Sequence, residues 1–244
     1  MSTTGHESTD SNPSTGAEII QGARLSVAVG FGLFPLGMAF GLLVTQSGLA
    51  AWVAPALSLT GYAGSLEFLM IEMLVNTTAL LTVGLTTLFV NFRHVFYAFS
   101  FPLHVVKNPV AKIYAMYAMT DEAYAITVAH PTGWTGPRLI ALEVCLQIYW
   151  VVGGLTGALL GALIPGQIAG LDFALCALFI TLTLDAVRST AQVPSLLLAG
   201  TSFAVAMLIT PDQMLFTALI TFMMLLIIRY LVAKTRRGDR FVSQ

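Results

Sequence analysis

Long apolar segments that carry almost no charge constrain the fold of this chain more than any other feature. Only 13 charged side chains lie between residues 25 and 228, and charged residues make up 9% of the 244-residue chain. A typical soluble domain has about 25%. So few charges cannot cover the surface of a globular protein in water. The sequence therefore predicts an all-α fold, a polytopic transmembrane helical bundle.

The apolar residues form nine segments separated by turn-forming residues. These segments cover residues 25–46, 49–61, 66–90, 95–106, 113–129, 138–163, 168–187, 194–209 and 212–232. A helix needs about 20 apolar residues to cross about 30 Å of hydrocarbon. Segments 49–61 and 95–106 are too short for that, so we expect broken or re-entrant helices there, with short interfacial helices as the alternative. The chain then crosses the membrane eight or nine times.

The two ends of the chain differ from its centre. Residues 1–20 are polar and lack the pattern of a signal peptide, which predicts a disordered N-terminal tail. Residues 234–244 carry a basic cluster, which predicts a cytoplasmic tail beside the headgroups of the lipid bilayer rather than on a nucleic acid. Residues 21–233 between them are predicted to form a single transmembrane transport domain.

Several kinds of chemistry have no signal in the sequence. A glycine-rich phosphate loop is missing, which argues against ATP-driven transport by this chain. Neither a catalytic triad nor a metal-ligand spacing occurs, so we expect no enzyme, no metal and no cofactor. Cys145 and Cys176 lie in separate apolar segments and are expected to be core residues rather than a disulfide.

The first apolar segment contains Pro35 among four glycines. Proline removes a backbone hydrogen bond and crowds the preceding turn, so we expect a kinked or unwound helix around Phe34 and Pro35. Gly37 and Gly41 are four residues apart, a spacing that either packs another helix closely or lets a substrate approach the backbone. The sequence leaves both interpretations open.

The residues at 60–64 are small except for Tyr62, and they lead directly into the next long apolar segment. Free backbone N–H groups at the start of such a helix can face an anionic group, for example a substrate carboxylate. Glu67 lies in the first turn of this helix. It is either a cap that complements the helix dipole at the membrane surface or a site for a proton or an ammonium group.

The densest polar cluster runs from Asn91 to Tyr97. A charged side chain inside a membrane costs about 2.5–3.5 kcal/mol on insertion scales, so Arg93 is a functional candidate. Its planar guanidinium matches a carboxylate, and the imidazole of His94 titrates near neutral pH, which suits proton exchange. The alternative is a polar junction at the membrane interface from which Arg93 reaches the headgroups.

A second cluster contains two adjacent carboxylates, Asp121 and Glu122. Four residues near them follow helical spacing and are predicted to share one helix face: Tyr114, Tyr117, Asp121 and Tyr124. Two carboxylates in a membrane span are costly unless they are paired or protonated. We therefore expect Arg93 to pair with one of them while the other carries a proton, an arrangement that favours a transport role.

Later segments carry fewer polar groups. Glu143 and Gln147 are four residues apart and are predicted to extend a polar lining. Gly153, Gly157 and Gly161 form a stripe of small residues that is typical of a helix–helix contact.

The order of these motifs resembles that of a known family. The motifs are Phe34-Pro35-Leu36-Gly37 with Gly41, Tyr62-Ala63-Gly64, Asn91-Phe92-Arg93-His94 with Tyr97, and Thr120-Asp121-Glu122. Together they resemble the AzlC family, the large subunits of bacterial branched-chain amino acid exporters, over most of residues 20–235. The chain is also similar to the actinobacterial members that export isoleucine and methionine.

The resemblance implies export of leucine, isoleucine, valine and often methionine across the plasma membrane of a bacterium. It also implies a small hydrophobic AzlD-type subunit as partner. We expect alternating access coupled to proton entry, which would make the chain an antiporter. The chain departs from the family at Glu67, where many relatives are expected to have an uncharged polar residue.

A zwitterionic amino acid needs a cation for its carboxylate, an acid for its ammonium group and an apolar pocket for its side chain. Eight residues are predicted to bind the substrate: Phe34, Pro35, Gly37, Gly64, Phe68, Arg93, Tyr97 and Tyr117. Four are predicted to couple protons: Asp121, Glu122, His94 and Glu67. An ion or small-solute channel is the alternative function, and an intramembrane enzyme that uses the acids with His94 is a third.

Overall fold

The computed structural model describes residues 14–164, 166, 180, 193–211 and 214–242. All regular secondary structure in these ranges is helical, which confirms the predicted all-α class. The α-helices are, in chain order, α1 (Thr15–Gln46), α2 (Val53–Thr60), α3 (Gly64–Val75), α4 (Leu80–Asn91), α5 (His94–Tyr97), α6 (Pro109–Tyr117), α7 (Asp121–Ala129), α8 (Gly136–Leu163), α9 (Val193–Ile209) and α10 (Met214–Val242), and a 3₁₀ helix covers Leu103–Val105.

Two helices in the described part of the chain are long and apolar enough to cross a bilayer. They are α1, with 32 residues, and α8, with 28. At 1.5 Å per residue, α8 is about 42 Å long, which exceeds the hydrocarbon thickness of about 30 Å. Shorter apolar helices occur at Val193–Ile209 and Thr217–Val232.

Helix α1 begins earlier than the sequence indicated. We expected a disordered tail over 1–20, but the helix starts at Thr15, while the first 13 residues lie outside the described ranges. Ser14 caps the helix, because its hydroxyl accepts a hydrogen bond at 3.3 Å from the backbone N–H three residues later. Glu18 is buried in the first turn and pairs with Arg138 of α8 at 2.9 Å. This contact with a distant residue holds the first turn in place, so the predicted tail is wrong for its last six residues.

Helix α1 also passes through Pro35 without interruption, so the expectation of an unwound segment there is wrong. The glycines that follow Pro35 pack closely against α8. A Cβ atom on Gly37 would lie 2.7 Å from the Trp150 carbonyl oxygen, and one on Gly41 would overlap the Gly154 carbonyl oxygen. Of the two interpretations of Gly37 and Gly41, helix packing is confirmed.

The predicted glycine stripe of α8 forms the other side of this contact. A Cβ atom on Gly153 would overlap the backbone of Phe34, and one on Gly157 would overlap the backbone of Met38. Gly161 lies against the side chain of Thr45. Small residues on both helices therefore let α1 and α8 approach closely along their length.

The segment predicted at 66–90 is not a single helix, and a four-residue break separates α3 from α4. Thr77 in this break has a left-handed backbone conformation, with φ of 48°. The Thr77 N–H donates to the Leu74 carbonyl and the Thr78 N–H to the Met73 carbonyl. These are the hydrogen bonds of a Schellman C-cap, which usually has glycine at the left-handed position. The prediction was wrong because no glycine marks this helix end.

Another break divides the segment predicted at 113–129. Helix α6 ends at Tyr117, and Thr120 caps α7 by accepting a hydrogen bond from the Ala123 N–H at 3.4 Å. The three tyrosines and Asp121 that we expected on one helix face therefore lie on two helices. That prediction is wrong, because the side-chain cap of α7 competes with continuation of α6.

The two segments that were too short to cross a membrane contain only short helices, which fits both the broken or re-entrant and the interfacial interpretation. Segment 49–61 contains α2, a helix of eight residues. Segment 95–106 contains the end of α5 and the 3₁₀ helix. Eight helical residues extend only about 12 Å, which is less than half of the hydrocarbon thickness.

The chain forms two compact units, each made of separate stretches of sequence. The first comprises the described residues up to Glu67 and Arg93–Ile164, and α1 packed along α8 lies at its centre. The second comprises Phe68–Phe92 and the described residues after Pro165, and in it α4 and α9 pack against α10.

Part of the second unit lies outside the described residues. This applies to the predicted segment 168–187, except Ile180, and to Cys176 within it. Helix α10 continues through the predicted basic tail as far as Val242. The single transport domain over 21–233 stays a prediction.

Candidate functional site

Two helix breaks of the first unit lie against each other. Tyr117, the last residue of α6, donates a hydrogen bond from its hydroxyl to the Leu59 carbonyl in the last turn of α2, at 2.7 Å. Its ring centroid is 5.9 Å from that of Tyr62, which belongs to the connection between α2 and α3. Non-helical backbone inside an apolar protein is tolerated where it is buried or lines a cavity, so this region is the natural place for a polar site.

Arg93 and Asp121 form an ion pair in this region, and the predicted pairing of Arg93 with one of the two carboxylates is confirmed. The guanidinium Nη2 lies 2.7 Å from the carboxylate Oδ2. The Tyr97 hydroxyl donates to the other carboxylate oxygen, Oδ1, at 2.9 Å. The side chains of Arg93 and Asp121 are 45% and 38% exposed, so a small molecule can reach both.

Arg93 also contacts the start of α3. Its Nη2 donates to the Ser65 hydroxyl at 3.3 Å. Ser65 follows Gly64, and a Cβ atom on Gly64 would lie 3.2 Å from the ring of Trp150. Glycine at this position therefore allows the indole to approach the backbone at the start of α3.

Aromatic rings flank the ion pair. The rings of Tyr97 and Tyr124 are stacked, with centroids 4.1 Å apart and an angle of 10° between their planes. The His94 ring meets Tyr97 edge-on at 5.4 Å, and the hydroxyls of Ser100 and Tyr124 are 3.0 Å apart. Glu122 follows Asp121 in the first turn of α7 and is half-buried.

Glu67 is enclosed within the first unit, with 1% of its surface exposed. The Ser58 hydroxyl donates to its carboxylate at 2.6 Å, and the Ala63 N–H donates at 3.1 Å. The Trp150 indole N–H lies 3.0 Å from both carboxylate oxygens. Glu67 caps the start of α3, because its carboxylate accepts the Ala63 N–H, but its burial contradicts the predicted position at a surface.

Sequence reasoning missed Trp150 and Ser58 as partners of Glu67. One signal was present in the sequence, since a buried indole N–H needs an acceptor and Trp150 lies in the middle of an apolar segment. Trp150 is also seven residues after Glu143, a spacing that places both on one face of α8. Ser58 gave no comparable signal.

Gln147 connects α8 to α6. The Tyr114 hydroxyl donates to the Gln147 side-chain oxygen at 2.8 Å, and the Gln147 amide donates to the Tyr117 hydroxyl at 3.2 Å. Gln147 therefore extends the polar region, as predicted. Glu143, one turn earlier on α8, is fully buried.

Phe34 and Pro35 of α1 lie against another face of α8. They line a groove between α1 and α8 that also includes Tyr149. Successive residues of an α-helix are about 100° apart, so Tyr149 and Gln147 point in nearly opposite directions. Phe34 and Tyr117, two of the predicted substrate-binding residues, therefore lie against different faces of α8.

Gly37 and Phe68 were also predicted to bind the substrate. Gly37 is in contact with the α8 backbone, which leaves no space for a substrate at that position. Phe68 follows Glu67 in α3 and belongs to the second unit.

Apolar helices long enough to span a bilayer, together with polar helix breaks around a charged pair, define a polytopic helical membrane protein. Residues 28–164 match the sequence profile of the family described as AzlC protein. The chain belongs to the AzlC family. The match includes Glu67, Arg93, Asp121 and Glu143, and thus the whole polar region of the first unit.

Several membrane proteins are similar to this chain. An uncharacterized membrane protein of Helicobacter pylori is 30% identical over 169 residues, which cover 68% of this chain and 74% of the relative. The branched-chain amino acid transport protein AzlC of Bacillus subtilis is 29% identical over 160 residues, 63% of this chain and 62% of the relative. The inner membrane protein YgaZ of Escherichia coli is 28% identical over 189 residues, 73% and 77% of the two chains. No solved structure matches the chain.

Proposed function

We propose that this chain exports leucine, isoleucine, valine and methionine from a bacterial cell by alternating access coupled to proton entry. The observation that carries the proposal is the exposed ion pair between Arg93 and Asp121 at the helix breaks. Similarity to a relative named as a branched-chain amino acid transport protein supports the choice of substrate. A transporter of this kind needs no catalytic residue and no cofactor.

The ion pair matches the two charges of an amino acid. The guanidinium of Arg93 suits the substrate carboxylate, and the carboxylate of Asp121 suits the ammonium group. An exposed ion pair contributes only about 0–1 kcal/mol, so a zwitterion can replace the internal partner at each end with little loss. Tyr97 and Ser65 hold the two charged side chains in position.

The aromatic rings beside the ion pair provide a surface for the branched side chain. We assign this role to Tyr97, Tyr124 and Tyr117. The space beside Gly64 is occupied by the Trp150 indole. Four residues predicted from the sequence are left out of the site, because three lie at contacts between α1 and α8 and one belongs to the second unit: Phe34, Pro35, Gly37 and Phe68.

Proton coupling in this proposal uses the carboxylates at the start of α7. A proton that binds Asp121 removes the charge that holds Arg93, so proton entry and substrate binding compete for one carboxylate. Such competition links proton entry to amino acid exit in an alternating-access cycle. Glu122 and His94 exchange protons with Asp121, and the enclosed Glu67 is a further proton site.

The proposal places the chain in the plasma membrane of a bacterium with a cytoplasmic C-terminus. Lys234 and three arginines follow the last apolar segment, and basic residues next to a span favour the cytoplasmic side. A small hydrophobic AzlD-type subunit is the proposed partner. Co-purification of such a subunit with this chain, after expression of both, tests that part.

Counterflow of labelled isoleucine into liposomes that contain the purified protein tests the transport function. We expect saturable uptake that unlabelled isoleucine inside the liposomes accelerates. Flux that does not saturate and is not accelerated would instead indicate the alternative, an ion or small-solute channel. Arg93→Gln should abolish counterflow, while Lys112→Gln, which removes an exposed charge from α6, is the matched control and should keep it.

The same liposomes test the proton-coupling residues. Asp121→Asn and Glu122→Gln each remove one titratable carboxyl group and preserve its shape. We expect the pH dependence of isoleucine export to change in both variants. Unchanged pH dependence in both would rule out the assignment of proton exchange to these two residues.

A further inference from the structure

Glu143 of α8 is a buried acid, and no neighbouring group among the described residues balances the charge of its carboxylate form. Its side chain is 0% exposed, and within the described residues neither carboxyl oxygen has a hydrogen-bond partner. Glu67 is almost equally enclosed, yet Ser58, Ala63 and Trp150 all donate to it. A buried polar group without a partner is uncommon, so the difference between these two glutamates needs a physical reason.

The groups around Glu143 provide no positive charge among the residues that the structure describes. Helices α1, α2, α6 and α7 pack against α8. Tyr114 of α6 and Tyr62 of the connection between α2 and α3 are the side chains that interact electrostatically with Glu143. Glu122 of α7 also interacts electrostatically with Tyr62, and Glu122 is itself an acid.

Arg138 is the basic residue of α8, and it is already paired with Glu18 of α1 at 2.9 Å. A carboxylate that has neither a counter-charge nor a donor loses its hydration without compensation. Protonation of the Glu143 carboxyl group removes this cost.

A line of polar groups leads from the surroundings of Glu143 to the exposed helix break. Gln147, one turn later on α8, accepts a hydrogen bond from Tyr114 and donates one to Tyr117. Tyr117 is 37% exposed. Within the described residues Glu143 makes no hydrogen bond to these groups, so a proton that leaves it reaches them through water that enters from the break between α6 and α7.

We infer that Glu143 is a proton-carrying site of this transporter, separate from Asp121 and Glu122. The O–H bond of the Glu143 carboxyl group breaks, and the proton passes to water that enters at the break between α6 and α7. The carboxylate that remains takes up a proton again before the cycle repeats, so charge and atoms balance without a redox partner. The inference rests on the proposed transport function, since release of a proton is useful only in a coupled cycle.

Glu143→Gln tests this role, because the amide has the shape of the protonated acid and cannot release a proton. In liposomes, a pH gradient should accelerate isoleucine export by the wild-type protein and accelerate export by the Gln variant less, because Asp121 and Glu122 still exchange protons in that variant. Both rates are measured relative to each protein's counterflow. Glu143→Asp, which keeps a carboxyl group, should retain part of the acceleration. A purely structural role would lower counterflow and the pH response together. A Gln variant that responds to pH as the wild type does overturns the inference.

A chemical test is independent of transport and of the folding of any variant. A hydrophobic carbodiimide reacts with protonated carboxyl groups, and mass spectrometry of peptides from the wild-type protein in membranes locates the adduct. We expect an adduct on Glu143 that decreases as the pH rises. Absence of the adduct at every pH overturns the inference. Labelling of Glu143 in a protein without isoleucine counterflow would reject the proposed substrate and leave Glu143 as a proton site.

Discussion

Trp150 donates its indole N–H to both carboxylate oxygens of Glu67, at 3.0 Å from each, although the two residues are 83 positions apart in the chain. The indole ring of Trp150 also stacks on Phe40 of α1, with ring centroids 5.9 Å apart. One side chain of α8 therefore contacts both the start of α3 and the long helix α1. This makes Trp150 a link between the polar site and the apolar centre of the first unit.

Trp150→Phe should destabilise the protein by about 1–3 kcal/mol, because it removes a donor from a buried carboxylate while it preserves an aromatic ring next to Phe40. The melting temperature of the purified protein in detergent measures the effect. Trp52→Phe is the matched control, since Trp52 is 69% exposed. Equal melting temperatures for the two variants would contradict the role of the indole N–H.

Gly41→Ala should destabilise the contact between α1 and α8 by about 1–3 kcal/mol, because its Cβ atom overlaps the Gly154 carbonyl oxygen and neither backbone can move freely. Gly32→Ala on the same helix meets nothing within 4 Å and should be neutral or slightly stabilising. Size-exclusion profiles and melting temperatures in detergent compare the two. A Gly41→Ala protein as stable as Gly32→Ala would show that α1 and α8 do not need this close approach.

Glu18→Gln should cost about 3–5 kcal/mol, because it leaves the guanidinium of Arg138 without its charged partner in a largely buried site. The Arg138 side chain also donates to Gln21, so part of its hydrogen bonding remains. The double variant Glu18→Gln with Arg138→Gln should lose less than the sum of the two single losses. Additive losses in this double-mutant cycle, measured by thermal unfolding in detergent, would reject the pairing.

Tyr97→Phe should raise the apparent KM for isoleucine by about three- to tenfold, because it removes one hydrogen bond from Asp121 and keeps the ring stacked on Tyr124. The initial rate of counterflow at a series of isoleucine concentrations measures this value. Tyr230→Phe changes an exposed tyrosine of α10 and is the control. If KM stays at the wild-type value in Tyr97→Phe, the hydroxyl does not position Asp121 for the substrate.

The class of protein and part of its polar site could be predicted from the sequence alone. The scarcity of charge over some 200 residues can be read from composition alone. Helices that span a membrane suit such a chain, because each helix satisfies its own backbone hydrogen bonds. The contact between Arg93 and Asp121 could be predicted for a related reason. Few charged residues lie in the apolar part of the chain, and a charged group there needs a partner.

Only the tertiary structure decided how the remaining polar groups are arranged. Thr77 ends α3 without a glycine, so the break before α4 has no clear mark in the sequence. Glu67 and Glu143 look alike as isolated acids in apolar helices, yet the first accepts hydrogen bonds from several elements and the second has no partner in the described residues. The physical reason is that helical spacing reports on one helix at a time, whereas hydrogen bonds to a buried carboxyl come from residues that only packing brings together.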